Sequence, residues 1–360
     1  MQRIVLHDYF ESLEGGGRLS TVLAHYLPAD IGYGFARAGH AFLTPLPSSL
    51  RHHDLATHSR LPLWRQFKLS RAFAQQTGFL QNYETVVYSG FYTPLAILNH
   101  RFGRNLYYCH TPPRFIYDQR QFYLDQVLPV LRPLLKQFTA YLQPRYEEAI
   151  RHMDQVVTNS EQVRQRLQHF LGIPSIVVHP PCNTQQFMWR GQGNYYLSVA
   201  RLDPLKRVDL IVQAFLKLPQ YRLIVASGGS ESHKLRKLAA HAPHIQFTGW
   251  VSESTLMDLV GNAIATLYLP HNEDFGMSPV ESMAAGKPVI GVAEGGLLET
   301  IIPEVTGILL PPQLTVQSIC EAVNYLTPQK SLELRQSCEK RARQFDQAVF
   351  LAKMRDLVVI

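Results

Sequence analysis

Short apolar runs alternate with stretches of helical periodicity from one end of the chain to the other. The first run, Arg3 to Leu6, predicts a strand. After it, Leu19, Val22, Leu23, Tyr26 and Leu27 mark a helix that begins near Arg18, behind a turn at Gly15-Gly16-Gly17. Strands are expected again at Thr85 to Tyr88, Asn105 to Cys109, Gln155 to Thr158 and Ser175 to Val178. A long helical region reaching about His152, interrupted by Pro129, Pro133 and Pro144, precedes the third of these. A helix over Glu161 to Phe170, capped by Asn159 or Ser160, follows it. From Thr184 to Asn194 the periodicity fades, as in a linker, and then the alternation restarts. Strands are predicted at Tyr195 to Ala200, Tyr221 to Ala226 and Ile245 to Thr248, with later ones at Ala263 to Leu269, Val289 to Val292 and Ile308 to Leu310. Between them lie helices at Val208 to Leu218, Glu231 to His241, Ser254 to Val260 and Leu297 to Ile302. The last stretch, Gln347 to Leu357, is amphipathic through Val349, Phe350, Met354 and Leu357.

Strand and helix alternating in both halves predict an α/β protein of two doubly wound, Rossmann-like domains facing a cleft. At 360 residues the chain exceeds one ordinary core. The domains are expected at residues 1–183 and 184–345, with residues 346–360 forming a terminal helix.

One stretch combines loop, helix start and chemistry. Residues 268–288 read as a strand end, a loop and a short helix with Ser278 as N-cap, Pro279 first in the helix and Glu281 third. Gly286 is placed to end that helix, and Pro288 stops it from continuing. A helix N-terminus at a strand's C-terminal end attracts anions through free N–H groups and the helix dipole. Two acids, Glu273 and Glu281, bracket it, and acids beside an anion site suit sugar or ribose hydroxyls. Glu281 could equally reach back to the Ser278 N–H as half of a capping box, whereas Glu273, beside Phe275-Gly276, has no comparable structural duty.

Arg201 ends a predicted strand and Lys206 follows five residues later, so two cations share one strand-to-helix turn. Together they could neutralise a departing diphosphate, or they could be solvated loop cations. His110, just past a strand and before Thr111-Pro112-Pro113, is placed to donate a hydrogen bond or move a proton, or to make a structural hydrogen bond. None of the twelve aspartates forms a D-x-D pair, and the histidines form no H-x-x-x-H pattern, so no metal site is expected. His52-His53 is expected to lie solvated in a polar loop. No G-x-S-x-G or other nucleophile motif occurs.

The net charge of +7 is uneven. Residues 1–183 hold 18 Lys plus Arg against 12 Asp plus Glu, and the remainder 17 against 16. A basic first half fits either an anionic partner, such as a membrane surface or a phosphorylated acceptor, or no such partner at all. Residues 50–80, where Arg60, Arg65, Lys68 and Arg71 mix with Trp64 and Phe67, could lie on a membrane or form a buried helix with a charged edge. Dispersed basic residues and the absence of a nucleic-acid motif argue against nucleic acid. The four cysteines (Cys109, Cys182, Cys320 and Cys338) show no paired spacing. With no signal-like N-terminus and no run of 18 apolar residues, this leads to the expectation of a cytoplasmic protein, peripheral at most to the inner face of a membrane.

Glu273 and Glu281 separated by seven residues, inside Glu-Asp-Phe-Gly-Met-Ser-Pro-Val-Glu-Ser-Met-Ala-Ala-Gly-Lys-Pro-Val-Ile, resemble the retaining glycosyltransferases of GT-B fold, family 4 (group 1). Ser198-Val199-Ala200-Arg201-Leu202 with Lys206-Arg207, Phe247-Thr248-Gly249-Trp250-Val251 and Val178-His179-Pro180-Pro181 support the likeness. The resemblance implies a second domain that binds a nucleotide-sugar donor, a first domain that binds a glycan or lipid-linked acceptor, and a terminal helix packing back on the first. It also implies metal-independent chemistry without a cofactor. Glu273 would hold the transferred sugar, and Glu281 the ribose. Arg201, Lys206 and the N–H groups of Gly276, Met277 and Ser278 would meet the diphosphate and sugar. Gly249 and Val251 would lie by the base, His110 over the reacting sugar, and Gly15, Gly16 and Gly17 near the phosphates. Arg18 and Ser227-Gly228-Gly229 depart from the family pattern. Tyr108-Cys109-His110-Thr111-Pro112-Pro113-Arg114 is similar to bacterial mannosyltransferases of polysaccharide assembly, which favours GDP-mannose over a UDP-glucose type of donor. A non-catalytic sugar-nucleotide-binding partner and an epimerase are the rival expectations.

Overall fold

Strands in both halves of the chain pair in parallel, and each half forms its own sheet. The computed structural model describes residues 2–11 and 14–359. The chain divides into two compact units, Met1–His179 with Leu351–Ile360, and Pro180–Phe350.

The first unit contains β1 (Arg3–His7), α1 (Gly15–Tyr26), β2 (Asp30–Tyr33), β3 (His52–Asp54) and α2 (Pro62–Gln75). It continues with β4 (Thr85–Ser89), β5 (Arg104–Cys109), α3 (Arg120–Gln126), α4 (Arg132–Arg151), β6 (Gln155–Thr158), α5 (Glu161–Leu171) and β7 (Ile176–Val177). The sheet order is β3-β2-β1-β4-β5-β6-β7. Order reverses between β1 and β4, and open parallel sheets bind ligands beyond the strand C-termini at such a reversal. Ile4, Leu6, Val86, Tyr88 and Tyr107 pack in its core, because strands covered on both faces must be apolar throughout.

The second unit runs β8 (Tyr195–Ser198), α6 (Val208–Leu216), β9 (Arg222–Val225), α7 (Ser232–Leu238), β10 (Ile245–Phe247), α8 (Glu253–Asn262) and β11 (Thr266–Leu267). After these come α9 (Met277–Ala284), β12 (Val289–Val292), α10 (Leu297–Thr300), β13 (Gly307–Leu310), α11 (Val316–Tyr325) and α12 (Pro328–Ala342), and then α13 (Gln347–Val359), which groups with the first unit from Leu351 on. The sheet order β10-β9-β8-β11-β12-β13 reverses between β8 and β11. Residues 184–194 carry neither helix nor strand.

Several expectations change. Helix α1 starts at Gly15 rather than near Arg18, so the three glycines form its first turn. His52-His53 is not a solvated loop. It forms edge strand β3, with the His53 ring stacked on Phe79 at 4.1 Å and its Nε2 3.0 Å from the Tyr83 hydroxyl. Pro144 lies inside α4 without ending it. Ser160 does cap α5, accepting from the Val163 N–H at 3.1 Å.

Candidate functional site

At the reversal in the second unit, three loops leave β8, β11 and β12. The β8 loop turns into a 3-10 segment at Pro204–Lys206 and then, through Arg207 in the left-handed region (φ 52°), into α6. This conformation presents Lys206 and Arg207 to the loop after β11. Lys206 Nζ lies 2.6 Å from Glu273 Oε2 and donates to the Tyr268 hydroxyl at 3.3 Å. Burial works against the Lys206 charge, but Tyr268 and Glu273 outweigh it and hold the ammonium above its ordinary pKa.

Arg207 fastens the same loop. Its guanidinium donates to the Leu269 and Pro270 carbonyl oxygens, both at 2.7 Å, and to Glu294 Oε1 at 3.1 Å. Glu294, from the β12 loop, also accepts from the Asn272 N–H at 2.9 Å and sits 3.0 Å from His271 Nδ1. The Gly296 N–H donates to the Glu273 carbonyl at 2.9 Å. Gly295 takes φ +58°, and a Cβ there would overlap that same carbonyl oxygen, so only glycine lets the two loops close up. Glu273 is thereby fixed at its backbone from one loop and at its carboxylate from another.

Helix α9 begins one turn past Glu273. Its N-cap is Gly276, not Ser278, and no side chain of the described residues caps it. Ser278 lies within the helix, where its carbonyl accepts from the Ser282 hydroxyl at 2.9 Å. The capping box expected between Ser278 and Glu281 is therefore not formed. Gly286 follows the helix in the left-handed region (φ 70°), as its place before Pro288 suggested. Glu281 is half-buried in α9. Arg201, 54% exposed at its side chain, bonds through Nε to Asp203 at 3.0 Å. Gly249 and Val251 flank Trp250, whose indole lies against Gly228 in the β9 loop. That loop in turn joins the Arg201 turn, since the Leu202 N–H donates to the Gly228 carbonyl at 2.9 Å.

In the first unit, His7, Ser89 and His110 stand at the C-terminal ends of the adjacent strands β1, β4 and β5. Ser89 Oγ is 2.8 Å from His110 Nε2, and the Ser20 hydroxyl of α1 donates to Ser89 Oγ at 2.8 Å. His7 Nδ1 is 3.1 Å from both the Ser89 carbonyl and Ser20 Oγ. A Cβ at Gly16 would come within 3.3 Å of His110 Nε2, so the first turn of α1 presses directly on the imidazole edge. Gly17 faces Phe10 and Phe42, and Gly15 has open space around it. Burial lowers His110 to about 4, and burial together with the neighbouring His110 lowers His7 to about 3. Both rings are neutral at pH 7. Beside them, Asp8 accepts from the Phe91, Tyr92 and Thr93 N–H groups at 2.9, 2.9 and 3.1 Å, and burial raises it to about 6.

Tyr268, Arg207, Glu294, His7, Ser20 and Ser89 escaped sequence reasoning. Each acts through a partner distant in the chain, and only Arg207, next to Lys206, carried a local hint. Among the described residues no three His, Cys, Asp or Glu side chains gather as a metal site, and the four cysteines are buried and form no disulfide.

Comparison with known proteins accounts for this arrangement. Residues 183–345, which hold every site residue of the second unit, match the family model of glycosyl transferases group 1. The second unit carries the pattern of that family, and the chain as a whole has the GT-B fold. It is 25% identical over 280 residues to the alpha-1,3/1,6-mannosyltransferase ALG2 of Kluyveromyces lactis, covering 63% of this chain and 54% of that protein. It is 34% identical over 126 residues to the D-inositol 3-phosphate glycosyltransferase of Mycobacterium leprae, covering 33% of this chain and 29% of that one. The chain spans only 54% to 60% of the length of the mannosyltransferase relatives from K. lactis, Dictyostelium discoideum and mouse. Solved structures give the fold along the whole chain. The sucrose-phosphate synthase of Thermosynechococcus elongatus aligns with a TM-score of 0.78 at 19% identity, covering 99% of this chain and 98% of that one. HepE of Anabaena, solved with UDP and glucose, aligns at 0.75 and 17%, covering 99% of both.

Proposed function

We propose that the protein transfers a hexosyl group from a nucleoside diphosphate sugar to a hydroxyl of a glycan or lipid-linked acceptor, with retention and without a metal. The observation that carries this reading is the Lys206–Glu273 pair, braced by Arg207 and Glu294 within the family-matched domain. In this reading Glu273 accepts hydrogen bonds from the transferred sugar, while Lys206 and Arg201 stabilise charge on the leaving diphosphate. The N–H groups from Gly276 to Ser278 add the helix dipole of α9 to that stabilisation. Glu281, which does not form the expected capping box, meets the ribose in this reading. His110 meets substrate as a neutral hydrogen-bonding imidazole rather than as an acid.

For the donor, a UDP-hexose is the better supported choice and replaces the expectation of GDP-mannose. HepE, crystallised with UDP, with UDP and glucose, and with UDP-glucose, matches the chain from end to end. The mannosyltransferase relatives match three-fifths of it at 25–26% identity. We place the protein in the cytoplasm, against the inner face of a membrane.

The test is nucleotide release from UDP-glucose, UDP-galactose, UDP-N-acetylglucosamine and GDP-mannose in EDTA, with and without glycan and lipid-linked acceptors. Acceptor-dependent UDP release with an α-linked product is expected. GDP release from GDP-mannose alone would overturn the donor assignment. Nucleotide binding without release or epimerisation across the acceptor panel would make the protein a binding module instead.

A further inference from the structure

Tyr268 is the first residue past β11, and its ring packs in the core of the second unit with 7% of the residue exposed. A buried phenol needs a partner for its hydroxyl. Tyr196, also buried in this unit, finds one in the main chain, donating to the Val323 and Leu326 carbonyls at 3.2 and 3.0 Å. Tyr268 instead meets a charged side chain, for its hydroxyl accepts from Lys206 Nζ at 3.3 Å. The ammonium stands 5.5 Å from the ring centroid, so it approaches the oxygen edge of the phenol and not its face. The backbone on either side fixes where that oxygen sits. The Tyr268 N–H donates to the Ile290 carbonyl at 2.9 Å, and Arg207 holds the carbonyls of the next two residues, Leu269 and Pro270.

An ammonium has three N–H donors. Among the described residues Glu273 and Tyr268 are the hydrogen-bond partners of Lys206, which leaves one donor for a ligand. The two partners differ in what else they do. Glu273 shares its oxygens with the transferred sugar in the proposed function, and its grip on Lys206 changes when the sugar arrives and departs. Tyr268, the more deeply buried of the two, keeps its grip throughout. Its neutrality matters as much as its position. A carboxylate there would set one ammonium between two acids, and the net negative charge would oppose a diphosphate. A hydroxyl fixes the ammonium without cancelling its charge. Burial, and after it the charge of Glu273, push the phenol above its ordinary pKa, so it stays neutral at pH 7.

We propose that Tyr268 is a positioning residue of the transfer reaction, keeping the Lys206 ammonium aimed at the leaving diphosphate while Glu273 engages the sugar. The inference rests on the transferase reading given above. It assigns Tyr268 an action through Lys206, with no contact of its own to the substrate.

Tyr268→Phe removes one oxygen and keeps the ring in the core. Calorimetric titration of the full chain with UDP and with UMP reads the effect without an acceptor. UDP carries on its terminal phosphate the charge that develops as the diphosphate leaves, and UMP lacks that phosphate. Tyr268→Phe should weaken UDP binding about tenfold, the worth of one hydrogen bond to a charged group, and UMP binding by less than about twofold. With an acceptor, kcat should fall about tenfold while donor KM changes by less than about threefold. In a Lys206→Ala background the same substitution should have no further effect on UDP binding or kcat. Tyr196→Phe supplies the structural comparison, and should lower the melting temperature while leaving the ratio of UDP to UMP affinity unchanged. Equal weakening of UDP and UMP, undiminished UDP binding, or a full effect that survives in Lys206→Ala would each overturn the proposal. The expected loss of UDP affinity with no nucleotide release from any donor would keep the diphosphate-positioning role and remove the transferase reading. A wild type that binds neither UDP nor GDP would remove both.

Discussion

Lys206 Nζ and Glu273 Oε2 stand 2.6 Å apart, and the two side chains are only 20% and 19% exposed. Residues 67 positions apart are thus one structural unit, since each holds the other in place. Truncating either should cost about as much as truncating both. Glu273→Ala and Lys206→Ala are each expected to lower kcat by about 10²–10³-fold, with the double variant only slightly worse. Nucleotide affinity should change little in Glu273→Ala. A double-mutant cycle on kcat measures this, and strictly multiplicative losses would dissolve the pair as a unit.

Ser89 should act through His110. Ser20 Oγ has two acceptors for its one proton, Ser89 Oγ at 2.8 Å and the Gly16 carbonyl at 2.9 Å; when it donates to Ser89, the Ser89 proton is directed at His110 Nε2 and the ring proton stays on Nδ1. Ser89→Ala is expected to lower kcat by roughly tenfold, the worth of one hydrogen bond, with donor KM nearly unchanged, and Ser89→Thr should restore most of it. Nitrogen NMR of the His110 ring should report the Nδ1–H tautomer in the wild type and a mixture in Ser89→Ala. Because His110 is lowered to about 4, its titration should contribute no activity limb near pH 6.5.

Asp8 gives a stability signature. Its folded-state pKa of about 6 lies above the unfolded carboxylate value, so the native state holds the proton more tightly. Its contribution is fully present below about pH 4 and is lost as pH rises through 6, a change of about 3 kcal/mol. Asp8→Asn does not titrate. In urea unfolding, the advantage of wild type over Asp8→Asn should shrink by about that amount between pH 4 and pH 7. An advantage that widens instead would mean that the three N–H donors outweigh burial.

Gly295→Ala places a methyl group against the Glu273 carbonyl in a left-handed backbone. The left-handed backbone alone costs about 1–2 kcal/mol, and the overlap with a backbone oxygen adds to that by forcing apart the two loops that carry Glu273 and Gly295. Turnover should drop at least tenfold together with a lowered melting temperature, and unchanged turnover in the folded variant would show that this carbonyl contact does not position the carboxylate.

The strands that were legible in the sequence, such as Thr85–Ser89 and Val289–Val292, are continuous apolar runs buried on both faces. Strands β2 and β3 gave no such signal. The first is four residues containing Asp30 and Gly32, and the second, His52-His53-Asp54, is a polar edge strand. Helix α12 was hidden for a related reason. Its buried face is Ser331, Leu334, Cys338 and Ala342, correctly spaced but built of small residues inside a charged segment. At the site, Glu273 could be read from the sequence because it had no local structural duty, and Lys206 and His110 from their places just past strand ends, with solvated or structural roles open for both. Their supports could not, since Arg207–Glu294 spans 87 residues and Ser20–Ser89 spans 69. The start of α9 misled because Ser278-Pro279 imitates a capped helix start, while the loop from β11 turns through Gly276 at φ 90° and begins the helix earlier.

Helix α13 begins at Gln347, yet Leu351–Ile360 group with the first unit, and Leu351, Met354 and Val358 are buried. During synthesis the portion of the chain that emerges first therefore lacks an apolar piece of itself until α13 leaves the ribosome. The second unit, made later, has its own residues in hand sooner. Folding of the first unit waits on the emergence of α13, and a stop codon near residue 350 would leave the older half of the polypeptide, not the newer, with an open seam.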